Sequence, residues 1–320
     1  MTSPELQLPK APHRLVIGAN AHAELAAAIR AARPTLEIRG AKYTDVTTAD
    51  LAWGEAYLGF KRPPLPSMGN VRWVHCTGAG VDSWLTPDEL PRDILLTRTS
   101  ESFGPMIAEW ALARALAFSQ QLIDLAQAQR LHRWSPRDLT TIRGSKTVIV
   151  GTGDVGTHVA KLFNALGSRV YGVSRSGEGD SDLFYAMAQV SALRDMVAVA
   201  DYLILTLPLT PETRALIDRS LLSACRGAVL INAGRGQVID ERAIPEALDQ
   251  GWLKGAALDV FEVEPLPIDS PLWTDQRVIV SPHISGLTTI DGAKDGFLEC
   301  LADLEAGRAP KWVVDRAKGY

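Results

Sequence analysis

Short apolar runs alternate with longer stretches in which apolar residues recur at helical spacing, and this pattern continues through most of the 320 residues. RLVIGA (14–19) predicts a strand, and the alanine-rich AHAELAAAIRAA (21–32) predicts an amphipathic helix. VRWVHCTGAGVD (71–82) predicts a strand running into a glycine loop, and DILLTRTS (93–100) another strand. From Gly104 to about Arg130 one long helix is expected, with Pro105 in its first turn and no further proline before position 136. Then TVIVG (147–151), RVYGVS (169–174), YLILTLP (202–208), AVLINAG (228–234), GAALDVF (255–261) and VIVSPHI (278–284) read as buried strands, most of them separated by helical stretches. Near-continuous Val/Ile/Leu runs in this arrangement predict parallel sheet covered on both faces. The break near 100–104 divides the chain into two domains, and the segment before residue 70 has little that is distinctive.

Composition narrows the picture in a few respects. Hydrophobic residues make up 46% of the chain, enough for two cores, and the net charge of −4 is spread without a basic block. Nucleic acid is therefore not an expected partner. Cys76, Cys225 and Cys300 lie far apart and form no CxxC pair or Cys/His cluster, so neither a disulfide framework nor a metal site is indicated. The opening MTSPELQLPKAPH lacks the apolar run of a signal peptide, and no stretch has the roughly 18 apolar residues of a membrane span. A cytoplasmic location follows as an expectation.

The segment KTVIVGTGDVGTHVAKLFNAL (146–166) carries Gly151, Gly153 and Gly156 in the spacing G-x-G-x-x-G, between a strand and a helix. In that pattern Gly151 permits the tight turn, Gly153 lets backbone approach a pyrophosphate at the helix N-terminus, and Gly156 allows close helix–strand packing. Asp154 and Val155 fall in the same turn. The next strand ends at Ser174, where an NAD-selective site usually presents an acid to the ribose. Here a small hydroxyl is followed by Arg175 and Ser176. An acid would repel a 2′-phosphate, whereas a guanidinium offers a planar fork of donors that matches one. NADP(H) is the favoured cofactor, with NAD as the alternative.

Three further strand ends carry chemistry. INAGRGQVID (231–240) sets Arg235 between glycines, GAALDVFEVEPLP (255–267) ends on Asp259, Glu262 and Glu264, and VIVSPHISGLTT (278–289) ends on His283. Strand ends border the ligand crevice of an open α/β sheet. There an arginine can clamp an anion and polarise a carbonyl, a histidine can exchange a proton, and a carboxylate can orient the histidine. With the glycine loop and LPLTPETRALID (207–218), these segments stand in the order found in the D-2-hydroxyacid dehydrogenase family, which the chain resembles over about residues 70–310. Within it, the neutral residue at position 174 is similar to the NADPH-dependent glyoxylate/hydroxypyruvate reductases.

The resemblance implies a two-domain α/β fold with a Rossmann-type cofactor domain (103–285) inserted in a flavodoxin-like substrate domain (1–102, completed by 286–320), and an active site in the cleft between them. It implies Arg235, Glu264 and His283 as the catalytic set, with Glu262 a solvated decoy. It places the substrate carboxylate on the backbone N–H groups of Gly78, Ala79 and Gly80. It puts Leu207, Pro208 and Thr210 on the adenosine side, Ala233 and Gly234 beside the cofactor, and Asp259 near the nicotinamide carboxamide. The implied reaction is reduction of a small 2-oxo acid to a D-2-hydroxy acid by a homodimer. Trp134, in a polar connector that lies near the dimer interface of related reductases, is expected chiefly to pack. The competing reading is a dinucleotide-sensing binding protein of the corepressor type, with little turnover. The family's formate dehydrogenases would lack the carboxylate that Glu264 supplies, and its phosphoglycerate dehydrogenases often carry an added regulatory domain for which the chain has no room.

Overall fold

The structure, a computed structural model, describes residues 8–85, 90–99, 103–316 and 318–319. The chain divides into two compact units: Met1–Ser102 with Thr288–Tyr320, and Phe103–Leu287. The predicted strand Asp93–Ser100 runs into an undescribed position at Ser100.

Among its described residues the first unit holds five parallel strands: β1 (Arg14–Gly18), β2 (Glu37–Ala41), β3 (Ala56–Leu58), β4 (Trp73–Cys76) and β5 (Leu95–Arg98). Their order, β2-β1-β3-β4-β5, is that of a flavodoxin-like sheet. Strand alternation splits β1 between two cores. Leu15 and Ile17 pack with helix α1 (His22–Ala32) and with Phe297, Cys300 and Leu301 of the C-terminal helix Ile290–Glu305, whereas Val16 packs on the other face with Leu51, Tyr57 and Trp84. Strands β2 and β3 carry no strong signal in the sequence. β2 sits at the sheet edge and contains Gly40, and β3 is only three residues long.

The second unit holds seven parallel strands: β6 (Lys146–Val150), β7 (Arg169–Ser174), β8 (Ala186–Gln189), β9 (Tyr202–Leu205), β10 (Ala228–Asn232), β11 (Leu253–Leu258) and β12 (Val278–Val280). The order β12-β11-β10-β9-β6-β7-β8 is the doubly wound Rossmann arrangement, with its reversal between β6 and β9. Its core is built from residues such as Val148, Val150, Leu203, Leu205, Leu230 and Leu258, each almost wholly buried.

One expectation fails. The long helix is two, Gly104–Ser119 and Leu122–Arg130, with Gln121 between them in the left-handed region (φ 47°). Neither proline nor glycine marks this break. The returning chain makes it: Thr140 N–H donates to the Ser119 carbonyl at 2.9 Å, while the Gln120 and Gln121 amides donate to the carbonyls of Thr140 and Asp138. The second helix buries none of its residues, and Leu122, Leu131, Leu139 and the 97%-exposed Trp134 leave this arm with an apolar surface. Among the described residues no helix is long and apolar enough to cross a membrane, and no Cys/His/Asp/Glu group is arranged to hold a metal ion. All three cysteines are buried thiols, outside any disulfide.

His75, on β4, is completely buried. Its ring nitrogens meet the hydroxyls of Thr97 at 2.8 Å and Thr99 at 3.0 Å, and Phe297 and Trp73 pack edge-on against it. Burial pushes the imidazole down to about 3, against roughly 6.5 in an unfolded chain. The folded state therefore binds fewer protons below pH ~6.5, and stability falls from there toward pH 3 by roughly 1.4 kcal/mol per unit. His75→Gln does not titrate, so the stability difference measured by urea unfolding between pH ~7 and pH ~5 should shrink by about 2 kcal/mol relative to wild type. Equal pH slopes in the two proteins would refute a neutral buried His75.

Candidate active site

All seven strands of the second unit run the same way, so every loop that follows a strand opens on one edge of the sheet. The glycine turn comes first. Gly151 adopts φ 101°, a conformation open to glycine, and its carbonyl accepts from the Thr206 hydroxyl at 2.7 Å. A Cβ on Gly156 would lie 2.0 Å from that same carbonyl oxygen, so the helix Asp154–Ala165 approaches β6 as closely as backbone allows. A Cβ on Gly153 would meet nothing within 4 Å. Packing in the protein does not demand glycine there, and the open space is what a bound pyrophosphate requires. Gly153 caps the helix without a side-chain bond, which leaves the first-turn N–H groups at Asp154 and Val155 for an anion. The Asp154 side chain turns to His158, 3.3 Å away.

Beyond β7, the serines work within their own loop. Ser174 Oγ accepts from Gly177 N–H and donates to the Glu178 carbonyl, and Ser176 Oγ accepts from Glu178 N–H. Arg175 is exposed and forms no hydrogen bond or ion pair with a described residue. Its charge helps to hold the Glu212 carboxyl below the ordinary carboxylate range, behind the larger effects of the Glu212 N–H and Thr210. After β9, Thr213 Oγ1 donates to the Pro208 carbonyl and accepts from Thr210 N–H, closing a turn at Leu207–Thr213. A Cβ on Gly234 would meet the Leu207 carbonyl at 2.7 Å, so glycine lets the loop at Ala233 and Gly234 lie against that turn.

The three reactive side chains follow three adjacent strands. Glu264 Oε2 lies 2.8 Å from His283 Nδ1, and Glu264 Oε1 accepts from Phe261 N–H at 3.1 Å. Burial raises the Glu264 carboxyl, but the bonds from His283 and Phe261, with the charges of His283 and Arg235, outweigh it and hold the group below its ordinary range. Arg235 precedes Gly236, where a Cβ would fall 1.9 Å from the Phe261 carbonyl carbon. That close approach sets the arginine loop against the glutamate loop. Glu262 is exposed, and its side chain bonds to no described residue. The structure brings Glu264, and not Glu262, to the histidine.

His283 is itself in the left-handed region, at φ 54°. Its N–H donates to the carbonyls of Asp259 and Ser281, and the wholly buried Asp259 carboxylate takes the Ser281 hydroxyl and the N–H groups of Ile284 and Ser285. Both oxygens of Asp259 are thus engaged in shaping the histidine loop. This role is absent from the sequence reading, which assigned Asp259 to the cofactor. The Ser-x-His-x-Ser spacing after a strand was its available signal. An arrangement of imidazole, carboxylate and nearby guanidinium can deliver a proton to an oxygen while holding an anion.

In the first unit, the loop after β4 presents Gly78, buried, and Ala79 and Gly80, half-buried. None of their three N–H groups donates to a described residue. The carbonyls are engaged: Thr77 by the Thr288 hydroxyl, Ala79 by Arg98 and Gly80 by the Cys76 thiol. Three consecutive N–H groups without a described acceptor could hold an anion.

Residues 112–285 match the NAD-binding domain of the D-isomer-specific 2-hydroxyacid dehydrogenases. The chain belongs to this family. As a D-2-hydroxyacid dehydrogenase it is an NAD(P)-dependent oxidoreductase. It is 33% identical to glyoxylate/hydroxypyruvate reductase A of Serratia proteamaculans over 301 residues, covering 90% of this chain and 93% of that one. Among solved structures, a family member from Xanthobacter autotrophicus in complex with NADPH superposes with a TM-score of 0.88 at 32% identity, covering 97% of this chain and all of that one. An NADPH-dependent glyoxylate/hydroxypyruvate reductase from Sinorhizobium meliloti, bound to NADP and sulfate, gives 0.87 at 29% identity, with 96% and 99% covered.

Proposed function

We propose that this dehydrogenase reduces a small 2-oxo acid of the glyoxylate or hydroxypyruvate kind to the D-2-hydroxy acid, with NADPH preferred. The observation that carries the reading is the 2.8 Å pair of Glu264 and His283 at the strand ends beside Arg235. The relatives' activity and their bound NADPH or NADP support it.

Gly151, Gly153 and Gly156, with the N–H groups at Asp154 and Val155, would hold the cofactor pyrophosphate. Leu207, Pro208, Thr210, Ala233 and Gly234 would line its path, and Arg175 would meet the 2′-phosphate. When bound, the cofactor supplies the hydride for the carbonyl carbon. The N–H groups of Gly78, Ala79 and Gly80 hold the substrate carboxylate, and Arg235 holds the anion and polarises the carbonyl. Glu264 accepts the Nδ1 proton of His283, which orients the ring and leaves Nε2 to protonate the developing alkoxide. Water has no part in the balance: one hydride and one proton add across the carbonyl. The apolar arm at residues 122–139 serves a homodimer, and its exposed Trp134 and Leu131 favour burial against a second copy. Sedimentation equilibrium should give a dimer that weakens in Trp134→Glu; a monomeric wild type would remove this part of the proposal.

Arg175→Ala should raise KM for NADPH about tenfold, the effect of losing one charge-assisted contact of roughly 1.5 kcal/mol, and leave KM for NADH nearly unchanged. Equal loss with both cofactors would dissociate Arg175 from the 2′-phosphate.

His283→Asn should lower turnover by roughly 10²–10⁴ with NADPH still bound. Glu264→Gln keeps the shape and removes the carboxylate charge from the pair, so turnover should fall, by less than in His283→Asn, with NADPH still bound. Glu262→Gln should change little. Turnover that falls in Glu262→Gln and not in Glu264→Gln would transfer the role to the other glutamate.

A further inference from the structure

Arg98 stands at the end of β5, abreast of Cys76, the last residue of β4, and thus beside the root of the Thr77–Gly80 loop. Its backbone is fixed on both sides: its own N–H donates to the Trp312 carbonyl at 3.1 Å, and the next N–H, of Thr99, donates to the Cys76 carbonyl at 2.8 Å. From this anchored position the guanidinium Nη1 donates to the Ala79 carbonyl at 3.1 Å.

The peptide bond converts that contact into a constraint on the opposite face of the loop. In a planar trans peptide the carbonyl and the following N–H point in opposite directions. Drawing the Ala79 carbonyl toward Arg98 therefore turns the Gly80 N–H away from it. The Thr288 hydroxyl, 3.3 Å from the Thr77 carbonyl, does the same for the Gly78 N–H. Arg98 differs from Thr288 in its charge. A cationic donor on the carbonyl oxygen draws electron density through the amide resonance and makes the Gly80 N–H a stronger donor.

We infer that Arg98 is a positioning residue for the substrate carboxylate, acting through the Ala79–Gly80 peptide to aim and strengthen the Gly80 N–H. The inference rests on the proposal that the Gly78–Gly80 amides receive that carboxylate. It makes preference for an acid over its neutral amide depend on a side chain that touches neither.

The test compares kcat/KM for pyruvate and for pyruvamide, with NADPH, in wild type and variants whose thermal stability and NADPH affinity are measured alongside. Wild type should favour the acid. Arg98→Gln, which retains a hydrogen-bond donor without charge, should reduce the acid-to-amide ratio by about tenfold or more through KM for the acid, with kcat and NADPH affinity nearly unchanged. Arg98→Lys keeps the charge but reaches less far and lacks the planar fork, so the ratio should fall by about two- to fivefold. An unchanged ratio in these variants, or in the lysine variant alone if the glutamine variant does not fold, overturns the inference. So does an equal loss for acid and amide, which marks a purely structural side chain. A wild type with no preference for the acid fails differently: the loop amides then do not read the carboxylate at all.

Discussion

Parallel pairing is the constraint on which the site depends. A strand that must return parallel to its neighbour needs a crossover, and successive crossovers leave all the carboxyl ends on one edge. In the second unit this gathers the glycine turn after β6, Arg175 after β7, and Arg235, Glu264 and His283 after β10, β11 and β12. The residues are distant in sequence, and their order along the edge follows from the sheet order. The polarity of the sheet also gives the long apolar strands their composition, because both faces are covered and neither is free to be polar.

Within that frame, one buried carboxylate sets the reactive end. Asp259 leaves β11 and accepts the Ser281 hydroxyl with the N–H groups of Ile284 and Ser285. An unpaired buried carboxylate would be costly, so the loop has to supply these donors. Doing so bends the chain into the left-handed conformation at His283, and the imidazole then meets Glu264. The strain at a β-carbon-bearing residue is held by bonds on both sides, as is common where a side chain must be aimed. The loop at Gly78–Gly80 follows the same logic with weaker groups: the carbonyls of Thr77, Ala79 and Gly80 are engaged, and the N–H groups of Gly78, Ala79 and Gly80 donate to no described residue.

Legibility in the sequence followed the strength of the local signal. β7 was legible to the residue, and the other long strands of the second unit were legible because Val/Ile/Leu runs that must be buried on both faces look like little else. Strand β8, with the pattern AMAQ and no fully buried residue, gave no such signal. The break at Gln121 was hidden because the cause lies in Asp138 and Thr140, reached only by folding. The choice of Glu264 over Glu262 came from the Glu-Pro motif, and the geometry brings that same glutamate to His283. The inward engagement of Asp259, Ser174 and Ser176 was not legible, since a polar residue at a strand end reads equally as a ligand group or as a group that satisfies its own loop.

The central claim, that the Glu264–His283 pair serves reduction of a small 2-oxo acid, is tested most directly by initial rates. Glyoxylate, hydroxypyruvate, pyruvate and a bulkier 2-oxo acid would each be offered with NADPH and with NADH, and the product of each chiral reaction resolved. Rapid NADPH-dependent reduction of glyoxylate and hydroxypyruvate, with D-glycerate formed from the latter, is the predicted result. Assembly promoted by dinucleotide without meaningful turnover of any 2-oxo acid would contradict it and mark a sensor on the same fold.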